Sequence, residues 1–351
     1  MEGNLQFSNT LIMWYLLNKR DLPWRKTRDP YFIWLSEIIL QQTKIAQGTS
    51  YYLKFIDRFN DISQLANASE EEILKLWQGL GYYSRARNLH HTSKFIDSHL
   101  RGVFPNEYNE LIKLKGIGDY TASAILSISF EKPYATVDGN VYRVLARYFG
   151  VTTAINSPKG IKYFKKLAQL VLDPKVPGTH NQAIMEFGAL QCKPQNPDCD
   201  ICPLQDSCYA LQKKMTKELP VKPKKIKIKN RFFNYLVVDN KEQILIRKRT
   251  GKDIWKNLYE FPLYESPSPI NTKDLIHSEI FQSLIGNKKY TLTIFNKEPT
   301  VHKLTHQNLH TTFWVIKLKS PLTNGVTWEN LNKFAVPTLI QNFIDKYRIT
   351  T

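Results

Sequence analysis

Leu114-Lys115-Gly116-Ile117-Gly118-Asp119-Tyr120 lies between two stretches whose apolar residues recur at helical spacing. Glycines at 116 and 118 let the backbone turn sharply and approach a ligand closely, with N–H groups facing outward at a helix N-terminus. The segment has the form of a helix-hairpin-helix turn, a device that grips a phosphodiester without reading base sequence. A plain helix connection with a glycine cap shares the pattern, and Lys113 and Lys115 beside it favour phosphate.

Downstream, Asp138-Gly139-Asn140-Val141 opens another helical stretch. Asp138 suits an N-cap, and the N–H bonds of a cap also keep a carboxylate ionised and fixed in direction, as stabilising a developing cation requires. A second carboxyl, Glu37, sits in Trp34-Leu35-Ser36-Glu37-Ile38-Ile39. It either faces water on an amphipathic helix or is desolvated among those neighbours, which would raise its pKa and make it a proton donor near neutral pH. Two carboxyls in contrasting surroundings divide the labour of breaking a glycosidic bond: one protonates the leaving group and the other balances an oxocarbenium-like cation.

Helical spacing recurs at 31–46, 70–77, 120–129, 141–149 and 161–172, and no strand pattern interrupts residues 1–212. Residues 213–231 then carry nine basic side chains against the single acid Glu218. With Pro220 and Pro223, residues 213–230 read as an extended basic linker able to touch phosphate. Beyond it, 232–239 and 243–248 suggest a hairpin around Asp239-Asn240-Lys241, with further strands at 290–295 and 311–317 and a closing helix at 336–347. The expected parts are therefore 1–212, 213–230 and an α+β region, 231–351.

The 351 residues carry 49 Lys+Arg against 31 Asp+Glu, a net +18, with 42% hydrophobic residues. That apolar content excludes a disordered chain, and the charge calls for a polyanion, either nucleic acid or an anionic membrane surface. The early apolar run at 11–17 is far shorter than the ~20 residues of a spanning helix and lacks the flanks of a signal peptide. It reads as a core helix, leaving no membrane association and a cytoplasmic placement as the expectation. Lys113, Lys115 and Arg143 are expected to add phosphate contacts, so that binding weakens steeply with salt.

All four cysteines fall in one loop, Cys192, Cys199, Cys202 and Cys208, spaced C-x6-C-x2-C-x5-C. In a reducing compartment such a cluster binds metal rather than forming disulfides. Zinc commonly uses two C-x2-C pairs, whereas one pair with wider flanking gaps suits the bulkier iron–sulfur cubane; spacing alone leaves both open.

The hairpin at 114–120 with Asp138 resembles the helix-hairpin-helix DNA glycosylases, and the cysteine run resembles the 4Fe–4S loop of their endonuclease III branch, which implies one 4Fe–4S cluster. Leu22-Pro23-Trp24-Arg25, Trp34-Leu35-Ser36-Glu37, Leu40-Gln41-Gln42-Thr43, Gly79-Leu80-Gly81-Tyr82-Tyr83-Ser84-Arg85 and Val137-Asp138-Gly139-Asn140 resemble the MutY-type adenine glycosylases. The resemblance implies that Glu37 protonates adenine N7, that Asp138 stabilises or transiently bonds the sugar C1′, and that Asn140 positions Asp138. Tyr120 stands where bifunctional relatives carry a Schiff-base lysine, which implies an essentially monofunctional enzyme. Gln42 and Tyr82 would wedge into the base stack, with Thr43 and Leu80 lining the same surface. Trp24, Arg25, Gln182 and Glu186 would line the adenine pocket, and Gly116 and Gly118 would hold backbone. Residues 251–262 resemble a Nudix-related lesion-recognition domain, without the Arg-Glu-rich metal helix that pyrophosphatase activity needs. Leu304-Thr305-His306 resembles that domain's Phe-Ser-His loop, which senses 8-oxoguanine; Thr305 keeps the hydroxyl, and Leu304 replaces the ring.

The expectation is thus a mostly α helix-hairpin-helix glycosylase fold with a 4Fe–4S loop at 192–208, followed by an α+β Nudix-like domain. It would act as a monomer on double-stranded DNA, removing adenine mispaired with 8-oxoguanine or guanine. The alternatives are an endonuclease III-like glycosylase and lyase acting on oxidised pyrimidines, against which Tyr120 argues, and a non-catalytic iron–sulfur DNA-binding protein, against which the pair Glu37 and Asp138 argues.

Overall fold

The computed structural model describes residues 2–222 and 228–350. Pro223, Lys224, Lys225 and Lys227 of the expected linker lie outside the described residues. The chain forms two units: Met1–Ala68 with Arg87–Lys224, and Ser69–Ala86 with Lys225–Thr351. The short segment that carries Leu80 and Tyr82 therefore belongs with the C-terminal residues.

Through residue 222 the described residues hold helices and no strand: α1 (Glu2–Asn18), α2 (Pro30–Leu40), α3 (Ile45–Arg58), α4 (Ile62–Asn67), α5 (Glu70–Leu76), α6 (Ser84–Leu100), α7 (Tyr108–Leu111), α8 (Asp119–Ser129), α9 (Gly139–Phe149), α10 (Pro158–Val171), α11 (Pro177–Leu190) and α12 (Tyr209–Gln212). Side-chain caps start several of them, among them Asp29 before Pro30 and Ser157 before Pro158. The helix expected across 31–46 is broken in two: Gln42 takes a left-handed φ of 54°, and the Thr43 N–H closes a turn on the Leu40 carbonyl.

Phe7, Leu11 and Tyr15 of α1 join Leu145, Phe164 and Phe187 in the core of the first unit. The 11–17 run is core on one face only, because Met13, Leu16 and Leu17 of the same helix are exposed. Residues 215–221, expected to be linker, also pack down: Leu219 is buried in this core and the Val221 carbonyl accepts from Ile155 N–H. Lys217 stays in water while Leu219 anchors the chain. Gly188 lets α11 lie against the start of α9, since a Cβ there would fall 2.6 Å from the Asn140 Cβ and 3.0 Å from its carbonyl oxygen.

In the second unit, β1 (Lys229–Asp239) runs parallel to β8 (Gln307–Leu318) and antiparallel to β5 (Leu263–Ser266). The expected hairpin shrinks to one step: β1 meets β2 (Gln243–Ile244) only at Asp239 and Ile244, and β3 (Arg247–Lys248) leaves to pair with β4 (Tyr259–Glu260). β8 and β5, rather than a hairpin partner, take up most of the two edges of β1. β6 (Tyr290–Ile294) and β7 (Thr300–Lys303) pair with β8, and β9 (Val326–Thr327) pairs with β2.

Alternation along β1 sends Phe233, Tyr235 and Val237 to one face and Leu236 and Val238 to the other. α15 (Thr338–Thr350) covers the first face; α13 (Thr272–Ile276) and α14 (Glu279–Ile285) cover the second. Arg231 is not a free phosphate ligand: it is 9% exposed and clamped by Asp253 and Glu265.

Phe343 of α15 stacks on Phe313 at 4.2 Å and meets Phe261 and Phe295 edge-on. Phe343→Ala should destabilise this unit by about 3–5 kcal/mol in a denaturant titration; a loss below about 1 kcal/mol would show that the ring is not its anchor.

Candidate active site and iron–sulfur loop

Glu37 lies on α2, whose turns bury Ile33, Trp34, Ile38 and Ile39 around it. Burial raises its pKa from 4.5 to about 7; a hydrogen bond with Tyr120 opposes the shift and the charge of Asp138 adds to it. The Tyr120 hydroxyl also lies 3.3 Å from the Met185 sulfur. A phenol has one proton, and a carboxylate is the better acceptor of the two. Burial, with Glu37 and Asp138 nearby, raises the Tyr120 pKa far above 10.0, so it remains a neutral phenol. Glu37, Tyr120 and Asp138 thus form one group.

Asp138 is the N-cap of α9. One carboxylate oxygen accepts from the N–H groups of Asn140 and Val141 at 2.9 and 2.8 Å, and the other from the Asn140 side-chain amide at 2.8 Å. Burial outweighs these bonds and raises its pKa, while Val141, Asn140 and then Arg143 work to lower it. The cap geometry is as expected, but full ionisation is opposed by desolvation.

Arg143, expected to reach phosphate, points inward. Its guanidinium donates to the Asn140 side-chain oxygen at 2.8 Å, the Gly188 carbonyl at 2.6 Å and the Cys192 carbonyl at 2.7 Å. One side chain therefore joins the partner of Asp138 to the first cysteine of the loop. Arg147, one turn on, donates to the carbonyls of Lys193, Pro194 and Leu219 and to the Cys192 sulfur at 3.4 Å. Helical spacing from Asn140 could have flagged both arginines; their inward direction could not be read from it.

A second cluster forms around α11. Glu186 receives Arg20 and Arg25, whose hydrogen bonds overcome its burial and hold its carboxyl well below the usual range. Tyr15 donates to Gln182 at 2.5 Å, with the Arg25 guanidinium over its ring. Trp24 is buried edge-on against Tyr52. The sequence did not single out Tyr15, Arg20 or Met185, although Gln182, Met185 and Glu186 share one helical face.

In the hairpin, only Gly116 needs glycine's conformation: its φ is +85°, and a Cβ would lie 2.8 Å from the Asn88 Cβ. Gly118 is extended, with open space where a Cβ would go, and caps α8. Lys113 and Lys115 are exposed beside it. In the second unit Tyr82 is 47% exposed at φ 48° and its hydroxyl meets that of Thr305, whereas Leu80, expected on the lesion-side surface, is buried. His306 is exposed, Leu304 packs against the sheet's core, and in the first unit Gln42 is exposed with Thr43 half-buried.

Cys192, Cys199, Cys202 and Cys208 border one cavity walled by Val144, Phe187 and Leu204. Among the described residues no set of three or more His, Cys, Asp or Glu side chains converges on a point that one metal ion could fill. Burial first, then the neighbouring sulfurs, raise the Cys199 and Cys202 thiols, the latter to about 11. Four thiolates share this space only around a cationic body larger than one ion, which fits a 4Fe–4S cluster.

The family model described as HhH-GPD superfamily base excision DNA repair protein matches residues 35–174, the iron–sulfur binding domain of endonuclease III matches 192–208, and a NUDIX domain matches 234–346. The chain carries a 4Fe–4S cluster. Among solved structures, a thermostable thymine-DNA glycosylase is similar at TM-score 0.56 and 29% identity, over 60% of this chain and 98% of that one. An endonuclease III–DNA complex, at TM-score 0.53 and 21% identity over 61% of this chain and 99% of that one, shares the fold. The human adenine DNA glycosylase is 41% identical over 216 residues, 59% of this chain and 40% of that protein. The adenine DNA glycosylases of two Buchnera aphidicola subspecies align along nearly their whole length: that from Baizongia pistaciae is 38% identical over 98% of this chain and 97% of that protein, and that from Schizaphis graminum 35% over 94% and 92%. With its helical hairpin unit, its cysteine loop and its C-terminal sheet all matched in order, this chain belongs to the adenine DNA glycosylase family.

Proposed function

We propose that this chain excises adenine paired with 8-oxoguanine in duplex DNA by hydrolysing the glycosidic bond, without cutting the strand. The observation that carries the proposal is the environment of Glu37. A carboxyl with a pKa of about 7 holds its proton for about half the time at neutral pH and can deliver it to a leaving base.

Duplex stacking hides the target, so the nucleotide must first turn out of the helix. Gly116, Gly118, Lys113 and Lys115 hold the backbone, and Gln42 and Tyr82 wedge into the stack beside the base opposite. Trp24, Arg25 and Gln182 enclose the base, with Glu186 fixing Arg25. Glu37 gives its proton to adenine N7, the C1′–N9 bond breaks with its electron pair leaving on the base, and adenine departs neutral. Asp138, held by Asn140 and the N–H of Val141, faces the cation at C1′. Water then adds to C1′ and gives its proton to a carboxylate. When bound, the cluster ties the 192–208 loop together through iron–thiolate bonds. Arg143 and Arg147 hold that loop to α9, so the protein's own share is positional. Thr305, with His306, contacts the oxidised base opposite.

The sign of the pH effect follows from a pKa raised above 4.5. Between pH 4.5 and about 7 the folded chain keeps a proton that the unfolded chain releases, so this group's contribution makes stability fall as pH rises through that window. The proton-donating form is lost above about 7. Single-turnover excision from a labelled duplex, revealed by hot alkali, should therefore decline above neutral pH. Glu37→Gln should lower it about 100-fold or more. Full activity of that variant would remove Glu37 as the donor. A duplex panel should show adenine opposite 8-oxoguanine as the preferred target.

Tyr120 offers no amine, so borohydride added during turnover should leave no covalent protein–DNA complex. A trapped complex would establish lyase chemistry instead.

A further inference from the structure

The segment Ser69–Ala86 is fastened to the C-terminal residues of its own unit at several points. At the start of α5, Glu70 accepts from Asn257, and Glu71 pairs with Lys248. At its end, Gln78 uses both halves of its amide. Its oxygen accepts from Lys75 at 3.1 Å and from the Val336 N–H at 3.3 Å, while its nitrogen donates to the Gln341 side-chain oxygen at 2.8 Å. Gln341 is itself oriented by donating to Asp345 at 2.8 Å.

Gln78 immediately precedes the turn Gly79-Leu80-Gly81-Tyr82, three of whose residues have positive φ: Gly79 at 98°, Gly81 at 77° and Tyr82 at 48°. The turn is braced inside by Trp77, whose indole N–H reaches the Gly81 carbonyl at 2.9 Å, and by the Arg85 guanidinium over the Trp77 and Tyr82 rings. At the tip, the Tyr82 hydroxyl meets Thr305 in the loop between β7 and β8. The turn is thus attached twice to one body, at its root through Gln78 and at its tip through Thr305. A long, exposed aromatic side chain on a positive-φ backbone has no fixed direction without such a root.

We propose that Gln78 is a positioning residue for lesion discrimination: by clasping the root of the turn to Val336 and Gln341, it sets the spacing between Tyr82 and Thr305, so that both meet the base opposite adenine as one rigid pair. Gln78 touches no base. The proposal rests on the assignment of Tyr82 and Thr305 to that base.

The test is single-turnover excision of adenine opposite 8-oxoguanine and opposite guanine, for the wild type, Gln78→Ala, Tyr82→Phe and the double variant. Gln78→Ala should shrink the preference for 8-oxoguanine about fivefold, the worth of one or two hydrogen bonds, with the rate opposite guanine held within about twofold. In the Tyr82→Phe background Gln78→Ala should change the preference no further. Equal slowing on both duplexes, or an undiminished effect in that background, overturns the proposal. Gln78→Glu keeps the acceptor for Lys75 and Val336 and loses only the donor to Gln341; it carries the same expected and contrary results should Gln78→Ala fail to fold. A wild type with no preference between the duplexes defeats the lesion-sensing assignment itself. A wild type with a preference that Gln78→Ala leaves intact defeats only the clasp.

Discussion

Moving an ionised carboxylate from water into a protein interior costs several kcal/mol unless donors or a cation replace its hydration. The first unit holds two carboxyls close enough to feel each other and resolves that cost in two ways. Asp138 receives two backbone N–H groups and an amide, with Arg143 behind them, whereas the apolar turns of α2 surround Glu37 and its named partner is a phenol. Protonating the less compensated group is the cheaper state. A proton donor and a better-compensated carboxyl are thereby set side by side, each by its packing.

That asymmetry depends on elements far apart in sequence. Gly188 lets α11 come against the Asp138 cap, and Arg143 spans Asn140, Gly188 and the carbonyl of Cys192. The cysteine loop thus stands one side chain away from the residue that orients Asp138. A shift of the loop would be felt at the carboxylate through hydrogen bonds worth roughly 1 kcal/mol each, more where the donor is charged.

Much of this was legible in the residues. The helices, the cap at Asp138, the apolar setting of Glu37 and the cysteine spacing are local patterns, and local patterns survive folding. What was not legible is non-local. A parallel ladder between β1 and β8 joins residues 78 positions apart, and no short-range signal marks it against a nearby hairpin. Arg143 and Arg231 look like phosphate ligands until their partners, carbonyls in one case and Asp253 with Glu265 in the other, are placed around them. Gln42 interrupts a helical periodicity that continues on both sides of it, because spacing does not report φ. The allegiance of Ser69–Ala86 to the C-terminal unit rests on contacts at Asn257, Val336 and Gln341, all long-range.

The central claim is that desolvation raises the Glu37 carboxyl to a pKa of about 7, so that it carries a proton for about half the time at neutral pH. A carbon-13 NMR titration of the glutamate carboxyls in the cluster-loaded protein, with Glu37→Gln identifying the resonance, measures this directly. The expected midpoint is near 7, and a midpoint near 4.5 would contradict it.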